Sequence, residues 1–253
     1  MGVFARLAAT LRRWWRREPA PAYFVDGHYG LLPRRTWRLY VPVGASRWRR
    51  MPVVILLHGC KQTPDEIMGG TRFAALADKL GAYVLLPSQA QVANPYRCWN
   101  WFDPATADGG GEADAVIGMM RKALRWRRVD GDRTAVVGMS AGAALAAVLG
   151  VHHGDRIRAV VTVAGLACHA ALSALTALSV MKRGPETDVA RTGREAPPGR
   201  VPLLAIQGAS DDVVNPRHAL TIARQYLARN GWDVPAGSEI LLPDPDHARH
   251  ESP

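Results

Sequence analysis

Val136-Val137-Gly138-Met139-Ser140-Ala141-Gly142 runs straight into Ala143-Ala144-Leu145-Ala146-Ala147-Val148-Leu149, and the fold is read outward from this stretch. A β-branched run, a Gly-x-Ser-x-Gly turn and an alanine-rich run spell strand, sharp turn and helix. Small residues flank the serine because the strand and helix backbones pass very close at such a turn. The serine hydroxyl projects off the sheet, where a base can reach it. The helix N-terminus behind it offers free N–H groups and the positive end of a dipole to a developing oxyanion. Ser140 is therefore the candidate nucleophile.

The surrounding text alternates between strand and helix. Thr36–Pro42 alternates like a strand with one buried face. Pro52–Leu57 is a continuous apolar run, as in a central parallel strand covered on both sides, and it delivers His58-Gly59-Cys60 to the strand's carboxyl end. Residues 61–70 read as a loop, Thr71–Leu80 as a helix and Ala82–Leu86 as a short buried strand. Pro87–Ala107 is a long loop rich in aromatic residues, and a helix follows to about Trp126. After the serine helix come a strand at Arg158–Val163, a helix at Ala170–Met181, and a Gly-, Pro- and charge-rich segment at Lys182–Arg200. A strand at Val201–Ile206 and a helix at Pro216–Asn230 follow. This order implies an α/β fold: a mostly parallel sheet with helices on both faces. Ligands then bind beyond the carboxyl ends of the strands, where His58, Ser140 and Asp211 all fall.

Composition bounds the possibilities. The 253 residues are 48% apolar and 21% charged, which describes a folded globular chain with a substantial core. No apolar run is long enough to cross a membrane as a helix. The net charge of +10 is almost all arginine, since only Lys61, Lys79, Lys122 and Lys182 are lysines. The arginines are scattered and no nucleic-acid motif accompanies them, so no nucleic-acid partner is expected. Residues 1–18 place Phe4, Leu7, Leu11 and Trp14 at helical spacing among arginines. That makes a basic amphipathic tail (residues 1–22) capable of weak membrane-surface contact. Residues 1–20 do not read as a secretory signal peptide, because arginines stand where a cleavage site would. Cys60, Cys98 and Cys168 show no metal-ligand spacing, and no metal or cofactor is expected. Three cysteines leave open one pair with one free thiol.

A serine hydroxyl needs a base, usually a histidine oriented by a carboxylate. On this fold the order is serine, acid, histidine. Asp211 and Asp212 both follow a strand and fit the acid. One of the two can instead cap the helix ahead of Pro216. The oxyanion hole needs the Ala141 amide and a second amide from the loop after His58, given by Cys60 or Lys61. His58 precedes the serine and reads as a loop-shaping residue bordering the pocket. The Trp99-Asn100-Trp101 stretch reads as a wall for substrate. His152 and His153 read as surface residues, and His218 as a solvent-facing helix residue. His247 and His250 sit in a proline-punctuated tail without a strand leading in, so the residues alone identify no base.

Leu57-His58-Gly59-Cys60-Lys61-Gln62-Thr63 resembles the strand-end signature of the poly(3-hydroxybutyrate) depolymerase family of esterases. So do Gly70-Thr71-Arg72, Arg97-Cys98-Trp99-Asn100-Trp101-Phe102, Gly138-Met139-Ser140-Ala141-Gly142 and Gln207–Pro216. The resemblance covers roughly Thr36 to Pro216. It implies an α/β-hydrolase fold and a serine esterase acting on hydroxyalkanoate polymers or oligomers, or on related short-chain and polysaccharide-linked esters. It places the nucleophile on Ser140 and the acid on Asp211, not Asp212. It implies pairing of Cys60 with Cys98, leaving Cys168 free. It also implies an extracellular protein, whereas the lack of a visible signal peptide fits a cytoplasmic one. The family carries its histidine in a Gly-His-Ala-Trp-Ser-Gly stretch that this sequence lacks. The esterase domain (residues 23–253) is therefore expected to stop short of its last strand, histidine loop and helix. The competing reading is a catalytically incomplete fragment or a non-hydrolytic binding remnant.

Overall fold

The computed structural model describes residues 19–31, 34–46, 48–185 and 199–232. Its seven strands are β1 (Tyr23–Tyr29), β2 (Arg35–Val41), β3 (Met51–Leu57), β4 (Tyr83–Ser88), β5 (Val129–Met139), β6 (Ala159–Val163) and β7 (Leu203–Ile206). They form one sheet in the order β1-β2-β4-β3-β5-β6-β7. The β1–β2 and β2–β4 pairs are antiparallel, and every later pair is parallel. β3 lies at the centre, as its unbroken apolar run requires, with Val54 opposite Val84 on one side and Ala135 on the other.

The helices are α1 (Pro64–Gly70), α2 (Phe73–Leu80), α3 (Pro104–Ala107), α4 (Gly111–Ala123), α5 (Ala141–His152), α6 (Ala174–Arg183) and α7 (Arg217–Arg229). Residues of α1 and α2 pack with Leu56, Val84 and Leu86 in one core cluster. Those of α4, α5 and α7 pack with Leu39, Ile55, Leu85 and Val160 in the other. α5 is buried all round from Ala141 to Val151, as expected of a helix without a polar face.

Two local readings change. Residues 61–70 hold a helix, not only a loop. Thr63 caps α1 through the Glu66 amide, and Glu66 reaches back to the Thr63 amide, a complete capping box with Pro64 in the first turn. His218 does not face solvent. It is fully buried on the α7 face formed by His218, Ile222, Gln225, Tyr226 and Arg229. That face carries polar residues at helical spacing, so an apolar pattern could not show it. The amphipathic reading of residues 1–18, and everything expected of His247, His250 and the sequence after Trp232, lies outside the described residues.

β7 is one edge of the sheet among the described residues, β1 being the other, with Leu204 56% and Ile206 48% exposed.

Candidate active site

β3, β5 and β7 run parallel and end on one rim, so His58, Ser140 and the Asp211 loop share it. Ser140 joins β5 to α5 at φ 54°, ψ −121°, a backbone conformation disfavoured for any residue with a side chain. Such strain costs on the order of 1–3 kcal/mol and persists only where the surroundings impose it. Here the close approach of backbone imposes it. A methyl group on Gly138 would stand 2.2 Å from the Gly142 carbonyl oxygen, and one on Gly142 would stand 2.5 Å from the carbonyl oxygens of Leu57 and His58. Both glycines of the turn are therefore required by contact. The Ser140 amide donates to the Val163 carbonyl at 2.9 Å, and its carbonyl accepts from Ala143 and Ala144.

The loop after β3 lies against this turn. A methyl on Gly59 would stand 3.5 Å from Ser140 Cβ. The Gly59 amide is taken by Gln62 Oε1 at 2.8 Å, and the Lys61 amide by the Tyr96 carbonyl at 2.7 Å. That removes Lys61 as a free donor. Among the described residues, neither the Cys60 amide nor the Ala141 amide has an acceptor, and the Ser140 hydroxyl has no hydrogen-bond partner.

A disulfide joins Cys60 to Cys98, with Cα atoms 4.2 Å apart, while Cys168 is free and buried. Burial pushes the Cys168 thiol up to about 12. Closing a loop of 38 residues removes roughly 4 kcal/mol of chain entropy from the unfolded state.

The aromatic loop is tied down below the rim. Trp99 is fully buried, its ring lies tilted 5.4 Å from the His58 ring, and it donates from Nε1 to the His58 carbonyl at 3.0 Å. Trp101 is also buried. Asn100 spends its amide on Glu112 Oε2 (2.7 Å) and its side-chain nitrogen on Ala93 O and Glu112 Oε1. These side chains hold the wall's shape, and the polar atoms of Trp99 and Asn100 are already engaged.

Glu112 is the centre of that framework and was missed in the sequence. Buried at the start of α4, it accepts from Asn100 and from Gln89 Nε2 (2.7 Å) and lies 3.4 Å from Arg35. Its partners are 12 to 77 residues away, so no local pattern announces it.

His58 is fully buried. Nε2 accepts from the Gln89 amide at 3.2 Å, so the proton sits on Nδ1, which donates to the Gly59 carbonyl at 2.8 Å. Burial lowers its pKa and keeps it neutral. Both ring nitrogens are committed, which fits a loop-shaping residue and excludes a base. His218 is likewise committed: Nδ1 accepts from the Ala167 amide, and Nε2 donates to the Val180 carbonyl at 2.9 Å. His152 and His153 are half-buried instead of surface residues. His153 Nε2 donates to the Gly109 carbonyl at 2.7 Å, His169 bonds Asp108 at 2.8 Å, and the His152 and His169 rings lie 6.3 Å apart.

On the acid side, Asp211 Oδ1 accepts from the amides of Val213 (3.0 Å) and Val214 (2.9 Å), and Oδ2 from Gln207 Nε2 (2.9 Å). The Val214 amide leads in holding its carboxyl below the usual range, with Val213 and Gln207 adding to it. Asp212 is exposed. Among the described residues, no histidine bonds to Ser140 or to Asp211.

The model of the esterase PHB depolymerase family matches residues 35–240. The chain belongs to this esterase family. Poly(3-hydroxyalkanoate) depolymerase C of Paucimonas lemoignei is 30% identical over 202 residues, 77% of this chain and 48% of that protein. The chain thus spans about half the length of that relative. Feruloyl esterase B of Neurospora crassa is 26% identical over 220 residues, 79% of this chain and 74% of that one. The solved acetyl xylan esterase from Aspergillus awamori shares the fold, with a TM-score of 0.71 at 19% identity, covering 83% of this chain and 81% of that one. The mostly parallel α/β sheet read from the alternation of strands and helices is present, and it is the α/β-hydrolase fold that the resemblance implied.

Proposed function

We propose that this chain is a serine hydrolase of carboxylic esters working through an acyl-enzyme. Ser140 Oγ attacks the ester carbonyl carbon, its proton passes to a base, and the carbonyl oxygen takes the negative charge. The tetrahedral intermediate collapses by expelling the alcohol, which takes the proton back from the base. Water then releases the acid by the same two steps. The amides of Cys60 and Ala141 receive the oxyanion, and Asp211 orients the base. The observation that carries this reading is Ser140 at a positive-φ turn beside two amides without protein acceptors. His58, Trp99, Asn100 and Trp101 act on the substrate by fixing the wall it meets.

The substrates proposed are hydroxyalkanoate oligomers and related short-chain or polysaccharide-linked esters; the relatives are by name a poly(3-hydroxyalkanoate) depolymerase, a feruloyl esterase and an acetyl xylan esterase. We place the working domain from residue 23 onward, with residues 1–22 as a basic tail. The Cys60–Cys98 disulfide supports an oxidising, extracellular setting. The lack of a histidine on Ser140 or Asp211 among the described residues favours a second reading, a binding remnant without turnover.

Hydrolysis of p-nitrophenyl acetate and butyrate, 3-hydroxybutyrate oligomers, methyl ferulate and acetylated xylan separates the two. An esterase turns over at least one class, and Ser140→Ala abolishes it down to the residual rate left by binding and the oxyanion hole. Turnover unchanged in Ser140→Ala, or none on any ester, rejects the proposal.

A further inference from the structure

Arg-Trp-Arg-Arg occurs twice in the sequence, at 47–50 and at 125–128. A third run, Arg12-Arg13-Trp14-Trp15-Arg16-Arg17, lies near the beginning. The fold brings residues 48–50 of the first run beside the second. Arg50 leads into β3 and Arg128 into β5, which are parallel neighbours. Met51 stands opposite Val129, and the Met51 amide donates to the Arg128 carbonyl at 3.2 Å. The two segments therefore meet at the amino ends of these strands, and Ser140 lies at the far end of β5.

Both tryptophans point out of the fold. Trp48 is 71% exposed and Trp126 is 80% exposed. Arg49, Arg50, Arg125 and Arg128 are exposed beside them, and the Arg125 guanidinium lies 4.5 Å from the Trp126 ring centre. An adjoining groove is lined by six basic side chains, among them Arg121, Lys122, Arg125 and Arg127, against two acids, Asp132 and Asp155. Each of those acids already faces an arginine: Asp132 is 3.5 Å from Arg158, and Asp155 is 3.4 Å from Arg156. Nearby Asp130 is held by Arg133 at 2.7 Å. The sheet end is thus strongly positive, with Trp48 and Trp126 largely exposed on it.

A partner must offer anions to the guanidinium groups and an apolar layer to the indoles. A bilayer carrying anionic headgroups offers both within one interface, the setting that tryptophan and arginine favour. Nucleic acid offers anions and bases, but Arg125 covers a Trp126 face that a stacking base would need. We propose that the sheet end bearing Trp48, Arg50, Trp126 and Arg128 is a docking surface for an anionic phospholipid bilayer. Docked this way, the Ser140 rim faces away from the lipid and stays open to substrate in solution.

The full chain should sediment with vesicles of phosphatidylcholine containing about one-third phosphatidylglycerol, and not with pure phosphatidylcholine. Added salt should release it. Trp48→Ser with Trp126→Ser should weaken binding about tenfold at an unchanged melting temperature, because both sites are exposed. Arg50→Gln with Arg128→Gln, which keeps both rings, should weaken it comparably and flatten the salt dependence. Equal binding to neutral vesicles overturns the proposal. So does full binding by both double variants, which would leave the N-terminal run as the carrier. Tighter binding of the parent to duplex DNA than to the anionic vesicles assigns the patch to nucleic acid instead.

Discussion

The serine turn and the acid loop occupy the same rim and are built in opposite ways. Ser140 sits between central strands, over a helix buried on every side, and backbone contacts at Gly138 and Gly142 admit no other residue type. Asp211 follows the edge strand β7, and its geometry is made within its own loop, from the amides of Val213 and Val214 and the Gln207 side chain. The turn is imposed by the whole core, whereas the loop is imposed by its neighbours in sequence. In the proposed mechanism the nucleophile is therefore held by the core, while the acid is held by its own loop. Among the described residues, no histidine bonds to either of them.

That contrast can be broken at the acid. Asp211→Asn should lower kcat by about 10⁴, as loss of the orienting carboxylate does in a triad. Asp212→Asn, exposed and without those contacts, should change kcat less than about threefold. Steady-state kinetics on one p-nitrophenyl ester compares them. A larger effect at Asp212 would mean that the Asp211 hydrogen bonds serve only to shape their own loop.

The framework of the wall is the next test. Glu112→Ala should cost about 3 kcal/mol, because it leaves Arg35 and the Asn100 and Gln89 donors without their buried acceptor. A urea titration reads this directly. The same variant should also raise KM, since the Trp99–Trp101 wall loses its anchor. An unchanged urea midpoint would remove Glu112 from the account.

A smaller effect should appear with pH. Burial leads in lowering the pKa of His58, of His152 and of His218 from the usual 6.5, so all three are neutral in the folded state. The unfolded chain takes up protons at these groups first. Their contribution to stability is therefore complete above about pH 6.5 and declines as pH falls below it. The melting temperature should drop between about pH 6.5 and 5, a window in which Asp211, held below the usual carboxylate range, stays ionised. A flat profile there would contradict the buried, neutral assignment.

What was legible in the sequence follows the same division. The strand–serine–helix turn and the central apolar strand are local patterns that the core then enforces, so they read directly. Helix α1 was read as loop, although Thr63-Pro64-Asp65-Glu66 writes its capping box in four residues, because the helix is only two turns long and its glycines hide the apolar period. His218 was not, because its burial is set by the Ala167 amide and the Val180 carbonyl, which belong to distant elements. Glu112 was hidden for the same reason. The choice of Asp211 over Asp212 came from family resemblance, since two adjacent aspartates after a strand look alike until their hydrogen bonds are seen.

The most direct test of the central claim, that Ser140 is an activated nucleophile facing an oxyanion hole, is covalent capture by a fluorophosphonate followed by intact-mass and peptide mapping. The account predicts a single adduct, on Ser140, absent from Ser140→Ala and slowed in Asp211→Asn. No adduct, or an adduct on another residue with Ser140 unmodified, would contradict it.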